Sequence, residues 1–340
     1  MSSGPELYFV SFRKMEKGYF TSSCNLGKAQ WITTTDPDSN SSQIDPPDTT
    51  NWGRVLVVIH GFNVNENGFE EDFDNLVGRV KQFPAASQYT HVVGILWPAE
   101  AHLVKYETAK ENAQTLAMDN STYEFRATLI KICECSQNRR NGTVDVLAHS
   151  LGNYLLFKAL KEQVAISCVM PISFRYIFSC AAAVNNDSVE ENKDSTSIIG
   201  EKTYYSALQT LCTKIFVLFS REDSVLEFGY PVEEWHSALG YSGAKDPQNT
   251  PSTYTQIDCS DCIHGHSEYW TSEDVYKILA KLVGLTHLPS KKTFTAQQIL
   301  NRPARGQPYS LWKPLIVVFA ILALFGFLYT RATSKFDNRA

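Results

Sequence analysis

Short apolar runs rich in β-branched residues alternate with amphipathic stretches along most of the chain, and this rhythm sets the fold class before any single residue is weighed. Residues 7–12 (LYFVSF) read as a first strand, and 36–53, rich in Asp, Ser, Pro and Asn, as a polar loop. From Arg54 the pattern becomes regular. RVLVVIHGF is a strand, Phe69, Phe73, Leu76, Val80 and Phe83 then recur at helical spacing, and HVVGILWP is the next strand. A helix near 122–137, marked by Phe125, Leu129 and Ile132, leads into TVDVLAHS, and the helical LGNYLLFKALKE follows directly. RYIFSCAAAV, KIFVLFSRED and YTQIDCSD are further strands, and TSEDVYKILAKLVG closes the series as a helix with Ser272 or Thr271 as its N-cap.

Strands that are apolar throughout need cover on both faces, and strand/helix alternation supplies it. The expected fold is therefore α/β, a doubly wound and mainly parallel sheet within residues 1–285. Sites in such sheets form at the carboxyl ends of the strands, so chemistry is sought in the loops that follow them.

The C-terminal pattern is different. Pro314 to Tyr329 (PLIVVFAILALFGFLY) carries no charge and lies between Lys313 and Arg331. Counted from Leu311 to Thr330 it reaches the roughly 20 residues that span about 30 Å of hydrocarbon, with Trp312 and Tyr329 placed as interface anchors. The expectation is a transmembrane helix over 313–330, preceded by a basic linker over 286–312 and followed by a short tail over 331–340. Residues 1–20 hold no apolar run of signal-peptide length, so the span reads as a tail anchor with the domain facing the cytosol.

Composition narrows the class further. Of 340 residues, 43% are hydrophobic and 20% charged, which excludes disordered and low-complexity chains. A net charge of −5 argues against nucleic acid as a partner. The eight cysteines fall mostly in apolar patterns and read as reduced thiols. Cys259, Cys262, His264 and His266 crowd into one loop without the second ligand pair that zinc favours, so no metal is expected. No Gly-rich phosphate loop is present either, and no cofactor is expected.

Candidate chemistry begins at Ala148-His149-Ser150-Leu151-Gly152, where the strand TVDVL meets the helix LGNYLLFKAL. A strand-to-helix turn at Ser150 needs small residues two positions away on either side, and Ala148 and Gly152 meet that need. A hydroxyl attacks only when a base removes its proton, so a histidine must follow a later strand. His266 is the candidate base, with His264 as second choice; Asp223, after KIFVLF, is the acid that orients it, with Asp187 as second choice. Oxyanion donors fall to the main-chain N–H groups of Leu151 and Phe62, the latter because Gly61 lets the backbone after RVLVVI bend close to the reacting carbonyl. His60, Gly61 and His149 are read as lining the pocket, the His149 side chain pointing away from Ser150.

VLVVIHGFNVNENGFEED, GILWPAE with Tyr106 and Asn112 behind it, VDVLAHSLGNYLL, FVLFSREDSVL and HSEYW together resemble the successive blocks of an uncharacterised α/β-hydrolase family, domain of unknown function 900, over roughly residues 7–284. The resemblance implies an α/β-hydrolase fold, carries Ser150, Asp223 and His266 onto a triad, and places Trp97 and Pro98 at a strand end beside the pocket. AAAVNND stands where the family more often has Ala-Pro-Asp, and the C-terminal apolar segment is outside the family pattern. The function expected is a membrane-anchored serine hydrolase acting on an ester, thioester or related acyl bond, with an acyl-ester or lipid-like small molecule as substrate. The alternative is a non-catalytic domain of the same fold acting as a membrane-tethered interaction module. Oligomeric state is not legible.

Overall fold

Alternation along each central strand distributes its side chains to two separate apolar cores, which explains why these strands carry almost no polar residue. The computed structural model of the protein describes residues 5–16, 19–20, 26–32, 52–62, 78, 89–99, 106–137, 141–166, 172–191, 203–284 and 292–301. They fall in one compact unit, Met1–Pro303. Of the expected elements, the helix over 69–83 apart from Gly78, most of the polar loop over 36–53 and the span over 313–330 lie outside the described residues. Among the described residues no helix is long and apolar enough to cross a membrane.

The chain opens with β1 (Glu6–Arg13), a small hairpin of β2 (Met15–Glu16) and β3 (Tyr19–Phe20), and β4 (Leu26–Ile32). Next come β5 (Arg54–Ile59), β6 (Tyr89–Leu96), α1 (Tyr106–Met118), α2 (Phe125–Gln137), β7 (Thr143–His149) and α3 (Leu151–Ala165). β8 (Phe174–Cys180), α4 (Tyr205–Leu211) and β9 (Cys212–Phe219) are followed by α5 (Tyr230–Glu234), α6 (Leu239–Ser242) and β10 (Tyr254–Asp258). α7 (Glu273–Val283), β11 (Thr293–Thr295) and α8 (Ala296–Leu300) complete the order. Apart from the hairpin, the strands form one nine-stranded sheet ordered β4-β1-β6-β5-β7-β8-β9-β10-β11. Only β1 and β4 pair antiparallel in it; the remaining neighbours are parallel.

On β5, Val55, Val57 and Ile59 enter one core with Ala113 of α1, Leu129 of α2 and Leu155 of α3, while Leu56 and Val58 enter the other with Val275 and Ile278 of α7. Helices thus cover both faces, as a parallel sheet requires. Ser272 caps α7 through its side chain, which accepts the Val275 N–H. The stretch read as linker from residue 286 is in part structured: β11 extends the sheet in register Gln256↔Thr293, and Thr295 caps α8 in a reciprocal capping box with Gln298. Three residues are too short a strand to leave a periodic signal.

Two features of the topology decide where a site can form. β5 has β6 on one side and β7 on the other, so the strand order reverses there and opens a crevice at the carboxyl ends. The register also aligns those ends: Ile59 pairs with Ala148, His149 with Cys180, Cys180 with Leu218, and Phe219 with Asp258.

At the other end of β7 a buried ionic cluster ties three strands together. Asp145, fully buried, accepts from Tyr89 Oη at 2.5 Å, from the Tyr176 main-chain N–H at 3.1 Å, and from Arg175 through Nε at 2.9 Å and through Nη2. Removing one partner of such a cluster strands the others in low dielectric. Asp145→Ala should lower the unfolding free energy by about 3 kcal/mol, read as a shift of the urea midpoint at constant slope; a loss under about 1 kcal/mol would show that the cluster is no anchor.

Candidate active site

β7 ends at His149 and α3 begins at Leu151, so Ser150 alone must turn the chain. It does so at φ 52° and ψ −126°, a conformation that costs a non-glycine residue on the order of 1–3 kcal/mol. Hydrogen bonds hold the turn. The Ser150 N–H donates to the Cys180 carbonyl (3.0 Å), and the Ser150 carbonyl accepts from Asn153 N (3.0 Å) and Ala183 N (3.2 Å). Asn153 Nδ2 faces the carbonyls of Ala148 (3.0 Å), Ser150 (3.2 Å) and Cys180 (3.1 Å). Sequence reasoning passed over Asn153, although a polar residue in the otherwise apolar start of LGNYLLF was a visible signal.

Two glycines let β5 and α3 meet at this turn. A Cβ on Gly152 would collide with the His60 carbonyl, and one on Gly61 would lie 2.6 Å from Ser150 Cβ. Gly61 therefore sits against the serine, as the Ile59↔Ala148 register demands.

His266 and Asp223 arrive at the same rim from the loops after β10 and β9. His266 Nε2 is 2.8 Å from Ser150 Oγ, and its Nδ1 is 2.8 Å from Asp223 Oδ2. The other carboxylate oxygen, Oδ1, accepts the main-chain N–H groups of Val225 and Leu226, both at 3.1 Å, at the start of a π-helical turn (Val225–Gly229). Asp223 is fully buried. Ser220 laces the two loops together: its Oγ donates to the Ile263 carbonyl (2.6 Å) and accepts the Glu222 N–H (3.1 Å). With the carboxylate accepting at Nδ1, the Nε2 lone pair faces the serine hydroxyl, an arrangement able to take its proton.

The second-choice residues are not part of this chain of contacts. Asp187 stays half-buried in the loop after β8 while His266 Nδ1 faces Asp223. His264 is exposed, and its main-chain N–H bonds to Glu268 Oε2 (2.7 Å). Leu151 opens α3, where the first N–H groups have no partner within the helix, and Phe62, half-buried beside Gly61, packs edge-on against Tyr106 with ring centroids 5.5 Å apart.

His60, Trp97 and His149, expected to line the pocket, are all buried. The His149 Nε2 donates to the His266 carbonyl (2.9 Å), and the two rings are 4.9 Å apart. Burial pushes both His60 and His149 down from 6.5 to about 3, so each is neutral at neutral pH. Among the described residues no group of three or more His, Cys, Asp or Glu could hold a metal ion, and the six described cysteines are free.

A family model described as an alpha/beta hydrolase of unknown function, DUF900, matches residues 37–283. The chain belongs to this family. No curated protein matches this DUF900 chain. A crystal structure described as that of the gene lin2722 products from Listeria innocua is similar at 10% identity and a TM-score of 0.37, over 72% of this chain and 98% of that one. The DUF900 match includes the strand ends that carry Ser150, Asp223 and His266.

The two neutral histidines make stability depend on pH. Between about pH 6.5 and 3 the unfolded chain binds a proton at each of them that the folded chain refuses, so stability falls as pH drops through that window. Each contributes a slope of about 1.4 kcal/mol per pH unit. His149→Phe should flatten the acid limb by about that amount, measured by urea unfolding between pH 4 and 6; an unchanged slope would mean that His149 titrates normally when folded.

Proposed function

We propose that the protein is a serine hydrolase that cleaves an ester, thioester or related acyl bond through an acyl-Ser150 intermediate. The observation that carries this reading is the unbroken relay Ser150 Oγ to His266 to Asp223, at the point where the strand order reverses. As Oγ attacks the substrate carbonyl carbon, Nε2 takes the hydroxyl proton and Asp223 stabilises the imidazolium. The oxyanion that forms accepts from the N–H groups of Phe62 and Leu151. Nε2 then gives its proton to the departing alkoxide or thiolate. Water, deprotonated by the same nitrogen, attacks the acyl-serine and releases the carboxylic acid.

A fluorophosphonate probe should label the folded protein, and Ser150→Ala should abolish the labelling. His266→Ala should lower turnover of acyl esters by at least about 10³-fold and His264→Ala should leave it within about twofold. Folded wild-type protein that takes up no probe would support the interaction-module alternative instead.

The uncharged run over 314–330 supports a tether that holds this chemistry at a membrane, with lipid-like acyl compounds as substrates. The full chain should then remain with the membrane pellet in alkaline carbonate. Its release into the supernatant would leave a peripheral protein and remove the reason to favour lipid substrates.

A further inference from the structure

His60 stands outside the Ser150–His266–Asp223 relay and yet is bonded through both ring nitrogens. Its Nε2 accepts the Trp97 main-chain N–H at 3.2 Å, which places the ring proton on Nδ1, 2.9 Å from the Gly61 carbonyl oxygen. The Trp97 indole stacks on the imidazole with centroids 5.6 Å apart and planes 17° from parallel, and its Nε1–H donates to the His60 carbonyl at 2.9 Å. The imidazole is fully buried, so these contacts fix one tautomer and one ring orientation.

A carbonyl held in this way fixes a whole peptide plane. In a trans peptide the C=O and N–H point in opposite directions, and there is no cis peptide among the described residues. The Gly61 carbonyl turned toward His60 therefore turns the Phe62 N–H away from it. Gly61 itself lies against Ser150.

We propose that His60 is a positioning residue for the oxyanion donor: its Nδ1–H, set by Trp97, locks the Gly61–Phe62 peptide so that the Phe62 N–H faces the carbonyl oxygen of a substrate on Ser150. The lock is needed because glycine resists rotation of its flanking peptides less than any other residue. Turned over, the same peptide would present a carbonyl oxygen to the developing oxyanion and repel it. His60 thus selects between two peptide orientations with opposite effects on the tetrahedral intermediate. Burial keeps the ring neutral down to about pH 3, so the donor and acceptor pattern holds across the working range of such an enzyme.

This inference rests on the hydrolase reading, and its test separates the two. In His60→Asn the side-chain N–H can occupy the place of Nδ1; in His60→Gln the amide reaches the place of Nε2 and leaves the Gly61 carbonyl without its donor. With a short-chain p-nitrophenyl ester, His60→Gln should lose about 10²-fold in kcat with KM within about twofold, and His60→Asn should recover most of that loss. Equal losses in the two variants, or a change confined to KM, would overturn the lock. A second measurement needs no variant: in wild-type protein with 15N-phenylalanine, phosphonylation of Ser150 should move the Phe62 amide proton downfield. If Ser150 takes the probe and that resonance stays in place, the lock alone fails; if Ser150 takes no probe, the hydrolase reading falls and the lock with it.

Discussion

The pairing of β5 with β7 is the constraint on which the rest of the site depends. Because Ile59 stands opposite Ala148, the residues that follow the two strands are brought side by side, and Gly61 meets Ser150 with no room for another atom between them. A slip of one residue would move every side chain of the strand to the other face, so the two apolar cores that flank the sheet hold this register in place. The strained turn at Ser150 is tolerated for the same reason. Its N–H and carbonyl are claimed by Cys180, Asn153 and Ala183, and relaxing the backbone would forfeit those bonds in a buried setting.

The central part of this arrangement was legible because its signals are local. Continuous apolar runs announced β5, β6, β7, β8 and β9, and a strand running into a helix through Ala148 to Gly152 announced the turn at Ser150. What escaped has weak local contrast. α1 buries Ala109, Ala113, Leu116 and Ala117, a stripe made mostly of alanine that barely stands out from its neighbours. β4, LGKAQWI, lies at the edge of the sheet beside β1, and Gly27, Ala29 and Trp31, which alternate with Lys28 and Gln30, are mostly small and give little apolar contrast. The placement of His149 was illegible for a different reason. Strand alternation puts neighbouring side chains on opposite faces, but here the chain turns sharply at the next residue and the loop carrying His266 folds back over the ring. The buried side-chain bonds of Ser220, Asn153 and His60 likewise depend on partners distant in the chain or created by the turn, and no periodicity encodes them.

Three histidines meet within this small volume, and their environments divide the work among them. His266 is half-buried at the rim, with the Asp223 carboxylate at one nitrogen and the Ser150 hydroxyl at the other. Burial holds His60 and His149 neutral. A neutral imidazole has one N–H and one lone pair, and each ring directs its N–H to a main-chain carbonyl: His60 to that of Gly61, on the oxyanion side, and His149 to that of His266, on the base side. In the proposed reaction, a charge on either ring would set a second cation close to the His266 imidazolium and raise the free energy of that state. On the proposed mechanism, the burial that costs stability in acid leaves proton exchange with Ser150 to His266, while the other two rings bond the backbone on either side of it.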